Sequence, residues 1–121
     1  MKTVLVIDDD KIIRDYYEAM IGMLFPVNVL TADDGDTCIK IMEEHPEVDL
    51  IILDLQIKRM SGWELYPRLR KIKNDVRAIV ASAYIYDDVE KKLKEMGVDA
   101  ILRKPFYPTG FGDIVRNLLE L

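Results

Sequence analysis

Five short apolar runs, each followed by a longer stretch of helical character, set the strongest limit on how this chain can fold. The runs cover residues 4–7, 27–32, 48–55, 76–83 and 98–102. They are rich in Val and Ile and nearly continuous, which is typical of parallel strands covered by helices on both faces. The pattern therefore predicts an α/β fold with a single doubly wound, five-stranded parallel sheet.

Helical segments are predicted between these runs and after the last one. Their expected ranges are 11–24, 33–44, 62–73, 87–96 and a final helix that runs up to residue 121. Pro26 and Pro46 stop the first two segments, and Gly97 follows the fourth, where a left-handed cap is favourable. The residues of the first helix that are expected to face the core are Ile12, Ile13, Tyr16, Met20 and Met23 or Leu24.

Length and charge limit the organisation and the partners of the chain. With 121 residues it has the size of one domain, and we predict one domain over residues 1–121. The net charge of −5 argues against direct binding of nucleic acid, which needs clustered Lys and Arg. No apolar run is long enough for a membrane span, and the single cysteine, Cys38, agrees with a reducing compartment. We expect a cytoplasmic protein that binds proteins or small anions and no membrane.

Carboxylates gather where the predicted strands end. Asp8, Asp9 and Asp10 directly follow the first run, and Asp54 lies within the apolar third run. Like charges removed from water are costly unless a cation compensates them, and ligands of doubly wound sheets bind at the carboxyl ends of strands. If Asp54 lies beside Asp8 and Asp9, their oxygens form a site that suits Mg²⁺.

A hydroxyl group and an ammonium group are expected on the other side of this site. Ser82 ends the fourth run and Lys104 follows the fifth. Facing the carboxylates, these two side chains could bind the oxygens of a phosphoryl group. The strand ends therefore indicate a site for a phosphoryl group and a hard metal ion.

In this order and spacing, the residues resemble the receiver domains of two-component response regulators. The matching motifs are Asp8-Asp9, Asp54, Ser82-Ala83, Lys104-Pro105-Phe106, TADDGDTC at 31–38, MSGWEL at 60–65 and GVDAILRKPF at 97–106. Each motif alone is weak, but their joint order and spacing along essentially the whole chain are specific. The resemblance implies a flavodoxin-like fold with strand order 2-1-3-4-5 and five helices.

The resemblance also implies a chemical role for the acidic residues. Asp54 would be the nucleophile that accepts a phosphoryl group from the phosphohistidine of a sensor histidine kinase or a phosphotransfer protein. Asp8 and Asp9 would hold Mg²⁺ together with Asp54 and the backbone carbonyl of Gln56. The phosphorylated state would then depend on this metal ion.

On the opposite side of the phosphoryl group, the resemblance implies roles for two further side chains. Lys104 would pair with one phosphoryl oxygen, and Ser82 would move to donate a hydrogen bond to another. The peptide bond before Pro105 is implied to be cis, which is accessible at low cost only before proline.

The implied output is a switch in protein interaction, not an enzyme that acts on a diffusible metabolite. The readout surface would be formed by the fourth helix, the fifth strand and the fifth helix, and its partner would be a downstream effector protein or a fused output domain. The same surface could also pair two copies of the chain. The family usually has Tyr or Phe where this chain has Ile101, so no aromatic switch is expected here, and Lys58 replaces the usual Pro.

Two other interpretations stay open at this point. A receiver-like docking module that takes no phosphate would use the same fold and surfaces. Alternatively, the Asp8-Asp9-Asp10 sequence fits the Asp-x-Asp pattern of haloacid-dehalogenase-type phosphatases, in which Asp8 would be the nucleophile; Ile12 and the shortness of the chain oppose this hypothesis. The three interpretations differ in the residue that carries the phosphoryl group, which is Asp54 in a receiver domain, Asp8 in a phosphatase and neither in a docking module.

Overall fold

The computed structural model of the chain describes residues 1–121. Its strands are β1 (Thr3–Ile7), β2 (Asn28–Ala32), β3 (Leu50–Asp54), β4 (Arg77–Ser82) and β5 (Ala100–Arg103). They pair in parallel in the order β2-β1-β3-β4-β5. The doubly wound α/β sheet and the strand order are therefore confirmed.

The helices are α1 (Lys11–Leu24), α2 (Gly35–Glu44), α3 (Gly62–Ile72), α4 (Asp87–Glu95) and α5 (Pro108–Leu119). Helices α3 and α4 each end one residue before the predicted position, and two larger differences have local reasons. Helix α2 begins later because Asp34 caps it, accepting a hydrogen bond from the Thr37 amide at 2.8 Å. Helix α5 ends at Leu119, since Glu120 takes the left-handed conformation (φ 58°). Gly97 has the predicted left-handed conformation, with φ +85°.

The sheet separates two apolar layers. Helices α2, α3 and α4 cover one face, through residues such as Cys38, Leu65 and Leu93. Helices α1 and α5 cover the other, through residues such as Ile21 and Phe111. All five residues of β1 are buried, which explains why its sequence does not alternate. None of the helices combines the length and the apolarity that crossing a membrane requires.

The core-facing side of α1 differs from the predicted one. The buried residues of this helix are Tyr17, Met20 and Ile21. The predicted residues that instead lie exposed are Ile12, Tyr16, Met23 and Leu24. Apolar residues occur on more than one side of this helix, and aromatic contacts of Tyr17 with Phe106 and Phe111 select the buried side. Met20 is buried as predicted, and the four exposed residues form an apolar strip on the surface.

Gly62 lies where α3 begins, against the end of β3. A Cβ atom at this position would lie 2.8 Å from the backbone oxygen of Asp54 and 2.8 Å from the Cα atom of Leu55. Because backbone atoms cannot turn aside, Gly62→Ala is expected to lower the free energy of unfolding by about 2 kcal/mol, measured by urea denaturation.

The matched control is Gly22→Ala in α1. No atom lies within 4 Å of a Cβ atom at Gly22, so the higher helix propensity of Ala is expected to stabilise the chain by about 1 kcal/mol. Equal losses of stability in the two variants would contradict the steric argument for Gly62.

Candidate functional site

Four side chains from different elements meet at the carboxyl end of the sheet. Asp8 follows β1, Asp54 ends β3, Ser82 ends β4 and Lys104 follows β5. The strand order places these four strand ends side by side. Asp8 is 3% exposed and Ser82 is 0% exposed, so both polar groups must find partners within the protein.

Lys104 joins the two acidic strand ends. Its Nζ atom donates hydrogen bonds to Oδ2 of Asp54 at 2.7 Å and to Oδ2 of Asp8 at 2.9 Å. Burial acts to lower the pKa of Lys104, but the hydrogen bonds to Asp54 and Asp8 outweigh it, and the pKa is raised. The ammonium group is thus held in its charged form as the internal counter-ion of two carboxylates. The Lys104–Pro105 peptide bond is cis, as the resemblance implied.

The second oxygen of Asp54 has its own partner. Oδ1 accepts a hydrogen bond from the backbone amide of Gln56 at 3.0 Å. Burial raises the pKa of Asp54, while the hydrogen bonds from Lys104 and Gln56 oppose this effect without cancelling it. The charged form of Asp54 is therefore held at an energetic cost.

This raised pKa predicts how stability depends on pH. A carboxyl group that binds its proton more tightly in the folded state than in the unfolded state loses stability as the pH rises from its unfolded pKa, about 3.9, through its folded pKa. Asp54→Asn removes this loss. The variant is expected to be more stable than the unmodified chain at pH 7, and the gain should shrink towards pH 4. Urea denaturation across this range checks it, and a gain that grows towards acid pH would contradict it.

Ser82 is held by two hydrogen bonds. Its Oγ atom donates to Oε1 of Gln56 at 3.2 Å and accepts from the backbone amide of Tyr84 at 3.2 Å. The contact between the Gln56 side chain and Ser82 was not predicted from the sequence. No local sequence pattern indicates this contact, because it joins the end of β4 to the loop after β3, and only the fold brings these two segments together.

The three consecutive acids after β1 have different surroundings. Asp8 is buried, Asp9 is half-buried and Asp10 is exposed. Asp10 is the N-cap of α1, where its Oδ1 atom accepts from the amide of Ile12 at 2.9 Å. Arg14 was not singled out from the sequence, yet its Nη1 atom donates to the backbone oxygen of Asp8 at 2.7 Å. Asp10 therefore has a structural role, and Asp8 carries most of the contacts with the site.

The donor atoms at the site fit a hard metal ion. Oxygen atoms of Asp8 and Asp54 contact one ammonium group, that of Lys104, Asp9 follows Asp8 in the chain, and no His or Cys side chain takes part in these contacts. The carboxylates do not form a ready-made group of three close metal-ligating side chains. Mg²⁺ commonly uses only one or two carboxylates and keeps several waters, so the set is chemically suited to it.

An apolar cleft of about 480 Å³ opens directly beside Lys104. It is lined by Ile12, Ile13, Tyr16, Tyr17, Ala83, Lys104, Pro105 and Phe106. The Tyr17 hydroxyl is buried without a hydrogen-bond partner, and burial, with smaller contributions from Asp8 and Asp54, raises the pKa of this phenol. The exposed strip of α1 thus continues to the edge of the acidic site.

The chain is similar in sequence to known proteins. A sequence model of the response regulator receiver domain matches residues 4–116. A probable transcriptional regulator, ycf27, of Cyanophora paradoxa is 33% identical over 98% of this chain and 48% of its own length. Sporulation initiation phosphotransferase F of Bacillus subtilis is 33% identical over 67% of this chain and 64% of its own length.

The fold is also found among solved structures. The signal receiver domain of a putative Luxo repressor protein from Vibrio parahaemolyticus superimposes with a TM-score of 0.90 at 24% identity, over 98% of this chain and 90% of that one. The chain spans about half the length of the Cyanophora regulator. The matched motifs, the strand order and the sequence relatives together show that this chain belongs to the receiver domains of two-component response regulators.

Proposed function

We propose that residues 1–121 work as one receiver domain that accepts a phosphoryl group on Asp54 and thereby switches a protein-interaction surface. Receiver domains are signalling switches of two-component systems. The observation that carries the proposal is the contact of Lys104 Nζ with Asp54 Oδ2 at 2.7 Å, next to the buried Asp8 carboxylate. A carboxylate at a strand end, with a fixed cation beside it, is a suitable acceptor for a phosphoryl group.

The transfer step follows from this geometry. A carboxylate oxygen of Asp54 attacks the phosphorus atom of a phosphohistidine, the P–N bond breaks, and its electron pair stays on the imidazole of the donor protein. Lys104 already touches Asp54, so it can pair with an oxygen of the incoming group without a large movement. Asp8, Asp9, Asp54 and the backbone carbonyl of Gln56 would hold Mg²⁺, which supplies further neutralisation of negative charge when bound.

The signal then passes from Ser82 to the readout surface formed by α4, β5 and α5. In the resting structure Ser82 pairs in register with Arg103 of β5. Arg103 in turn donates to Glu90 of α4 at 2.8 Å and to the backbone oxygen of Ile85 at 3.2 Å. A Ser82 hydroxyl that moves towards a phosphoryl oxygen shifts the end of β4, and these contacts connect that end to α4. Ile101 packs against the core as an aliphatic group and needs no aromatic rotation.

Two surfaces near the site, the apolar cleft and the readout surface, suit different partner proteins. The apolar cleft next to Lys104 serves a histidine kinase or phosphotransfer protein, because a donor seated there brings its phosphohistidine to Asp54. The readout surface serves a downstream effector or a fused output domain, and it can pair two copies of the chain. The net charge of −5 argues against direct binding of nucleic acid by this chain. A cytoplasmic location agrees with the single buried thiol of Cys38.

The test is the intact mass of the purified chain after incubation with acetyl phosphate or carbamoyl phosphate, with and without Mg²⁺. We expect the addition of one phosphoryl group that requires Mg²⁺ and is absent when EDTA is present. No addition from either small donor or from a cognate histidine kinase would contradict the proposal and favour the docking module. The capping role of Asp10 already argues against an Asp-x-Asp phosphatase, in which this side chain would serve the chemistry.

A further inference from the structure

We propose that the side chain of Gln56 is a latch that holds the Ser82 hydroxyl in its resting orientation and so opposes the active state. The latch is the Ser82–Gln56 hydrogen bond described above. This inference rests on the proposed function, because it assigns to Gln56 a part in the switch that phosphorylation of Asp54 drives. The side chain of Gln56 would have a positioning role, since it affects the phosphoryl group only by holding the Ser82 hydroxyl.

A hydroxyl group can donate only one hydrogen bond at a time. Serine has one proton to donate, and Ser82 donates it to Oε1 of Gln56 at 3.2 Å. Its Oγ atom also accepts from the Tyr84 amide at 3.2 Å, so the hydroxyl is held from two sides. A phosphoryl group on Asp54 offers only acceptor oxygens. Ser82 can therefore donate to the phosphoryl group only after its bond to Gln56 has broken.

The position of Gln56 allows this exchange. Its backbone amide donates to Asp54 Oδ1 at 3.0 Å, so the same residue contacts both the phosphate acceptor and the Ser82 hydroxyl. Gln56 is exposed, whereas Ser82 is fully buried. The amide group of Gln56 can leave for water without losing hydrogen bonds, while the hydroxyl needs a new acceptor inside the protein. The phosphoryl oxygens supply that acceptor.

An aliphatic residue in β5 increases the influence of the latch on the equilibrium between the resting and active states. Ile101 is aliphatic and partly buried against the core, so a rotating aromatic ring does not share the work of distinguishing the two states. The movement of Ser82 is then the main local change between the two states. Breaking the Ser82–Gln56 hydrogen bond contributes part of the free energy that this movement requires. The net stabilisation by one neutral hydrogen bond changes the ratio of the active to the resting state by about fivefold.

The experiment uses Gln56→Met, which keeps the length of the side chain and removes the acceptor. Binding of beryllofluoride, a mimic of the phosphoryl group, is measured in the presence of Mg²⁺ by amide NMR. We expect Gln56→Met to tighten binding about fivefold. In the Ser82→Ala background the same substitution is expected to have no effect, because the hydroxyl that the latch restrains is absent. Without ligand, the Tyr84 amide signal of Gln56→Met should move towards its position in the bound state.

The outcomes separate the latch from the proposed function. Unchanged affinity in Gln56→Met, or the same change with and without the Ser82 hydroxyl, would overturn the latch while binding by the unmodified chain upholds the receiver chemistry. A Tyr84 amide signal that does not move would also overturn the latch. If the unmodified chain binds beryllofluoride no better than Asp54→Asn does, the proposed function fails and the latch fails with it.

Discussion

Replacing Asp54 with Asn is expected to abolish incorporation of phosphate from acetyl phosphate in the presence of Mg²⁺. The amide has the size of the carboxylate, and its oxygen can still accept from the Gln56 backbone amide, which donates to Asp54 Oδ1 at 3.0 Å. It lacks the nucleophilic carboxylate oxygen, so no acyl phosphate can form. Intact mass spectrometry of the two proteins, treated side by side, measures the loss directly.

The matched control is Asp33→Asn, which removes one negative charge at an exposed position outside the site. It should take up phosphate like the unmodified chain, which shows that net charge alone does not decide the result. A phosphoryl group that persists in Asp54→Asn and disappears in Asp8→Asn would move the nucleophile to Asp8. That result would support the Asp-x-Asp phosphatase and overturn the receiver mechanism.

Replacing Lys104 with Met is expected to lower the free energy of unfolding at pH 7 by about 3 kcal/mol. The Lys104 side chain is 21% exposed and is the shared counter-ion of Asp8 and Asp54, whose side chains are 4% and 13% exposed. Its removal leaves two largely buried carboxylates near each other without a cation. The loss should decrease as the pH falls, because the pKa of Asp54 is raised and this carboxyl group then loses its charge. Urea denaturation at pH 7 and at pH 4.5 measures both effects.

Two further variants show where this effect comes from. Lys40→Met removes an exposed lysine and is expected to change stability by less than about 0.5 kcal/mol. The double variant Asp54→Asn/Lys104→Met should recover part of the loss, because only one carboxylate then lacks its partner. If the double variant is as unstable as Lys104→Met alone, the pairing with Asp54 is not what stabilises the site.

The order of the elements follows from local features of the sequence. Short Val-rich and Ile-rich runs such as residues 4–7 predict buried strands, and proline or glycine separates them from helical segments. These signals extend over only a few residues, because the local backbone conformation and the burial of a strand determine how apolar residues are spaced in neighbouring positions. Helix ends were less predictable, since the left-handed turn at Glu120 has no Gly or Asn to announce it.

Much of the site was also predictable. Asp8, Asp54 and Lys104, which the structure brings into contact, lie at or directly after the ends of strand runs, and in a parallel sheet the carboxyl ends of all strands lie at one edge. The physical rule that places them together needs only the strand assignments and the strand order. The resemblance to receiver domains added the strand order and the cis Lys104–Pro105 peptide bond, both of which the structure confirms.

The sequence by itself thus determined the class of fold, the edge of the sheet where the site lies and the charged residues gathered there. Tertiary structure alone decided which side of α1 is buried, because that choice depends on the aromatic rings of Phe106 and Phe111, which lie far from Tyr17 along the chain. It alone also decided that the Gln56 side chain accepts the hydrogen bond of the Ser82 hydroxyl. Such contacts arise from packing and hydrogen bonding between distant residues, whose energies leave no trace in the local pattern of the sequence.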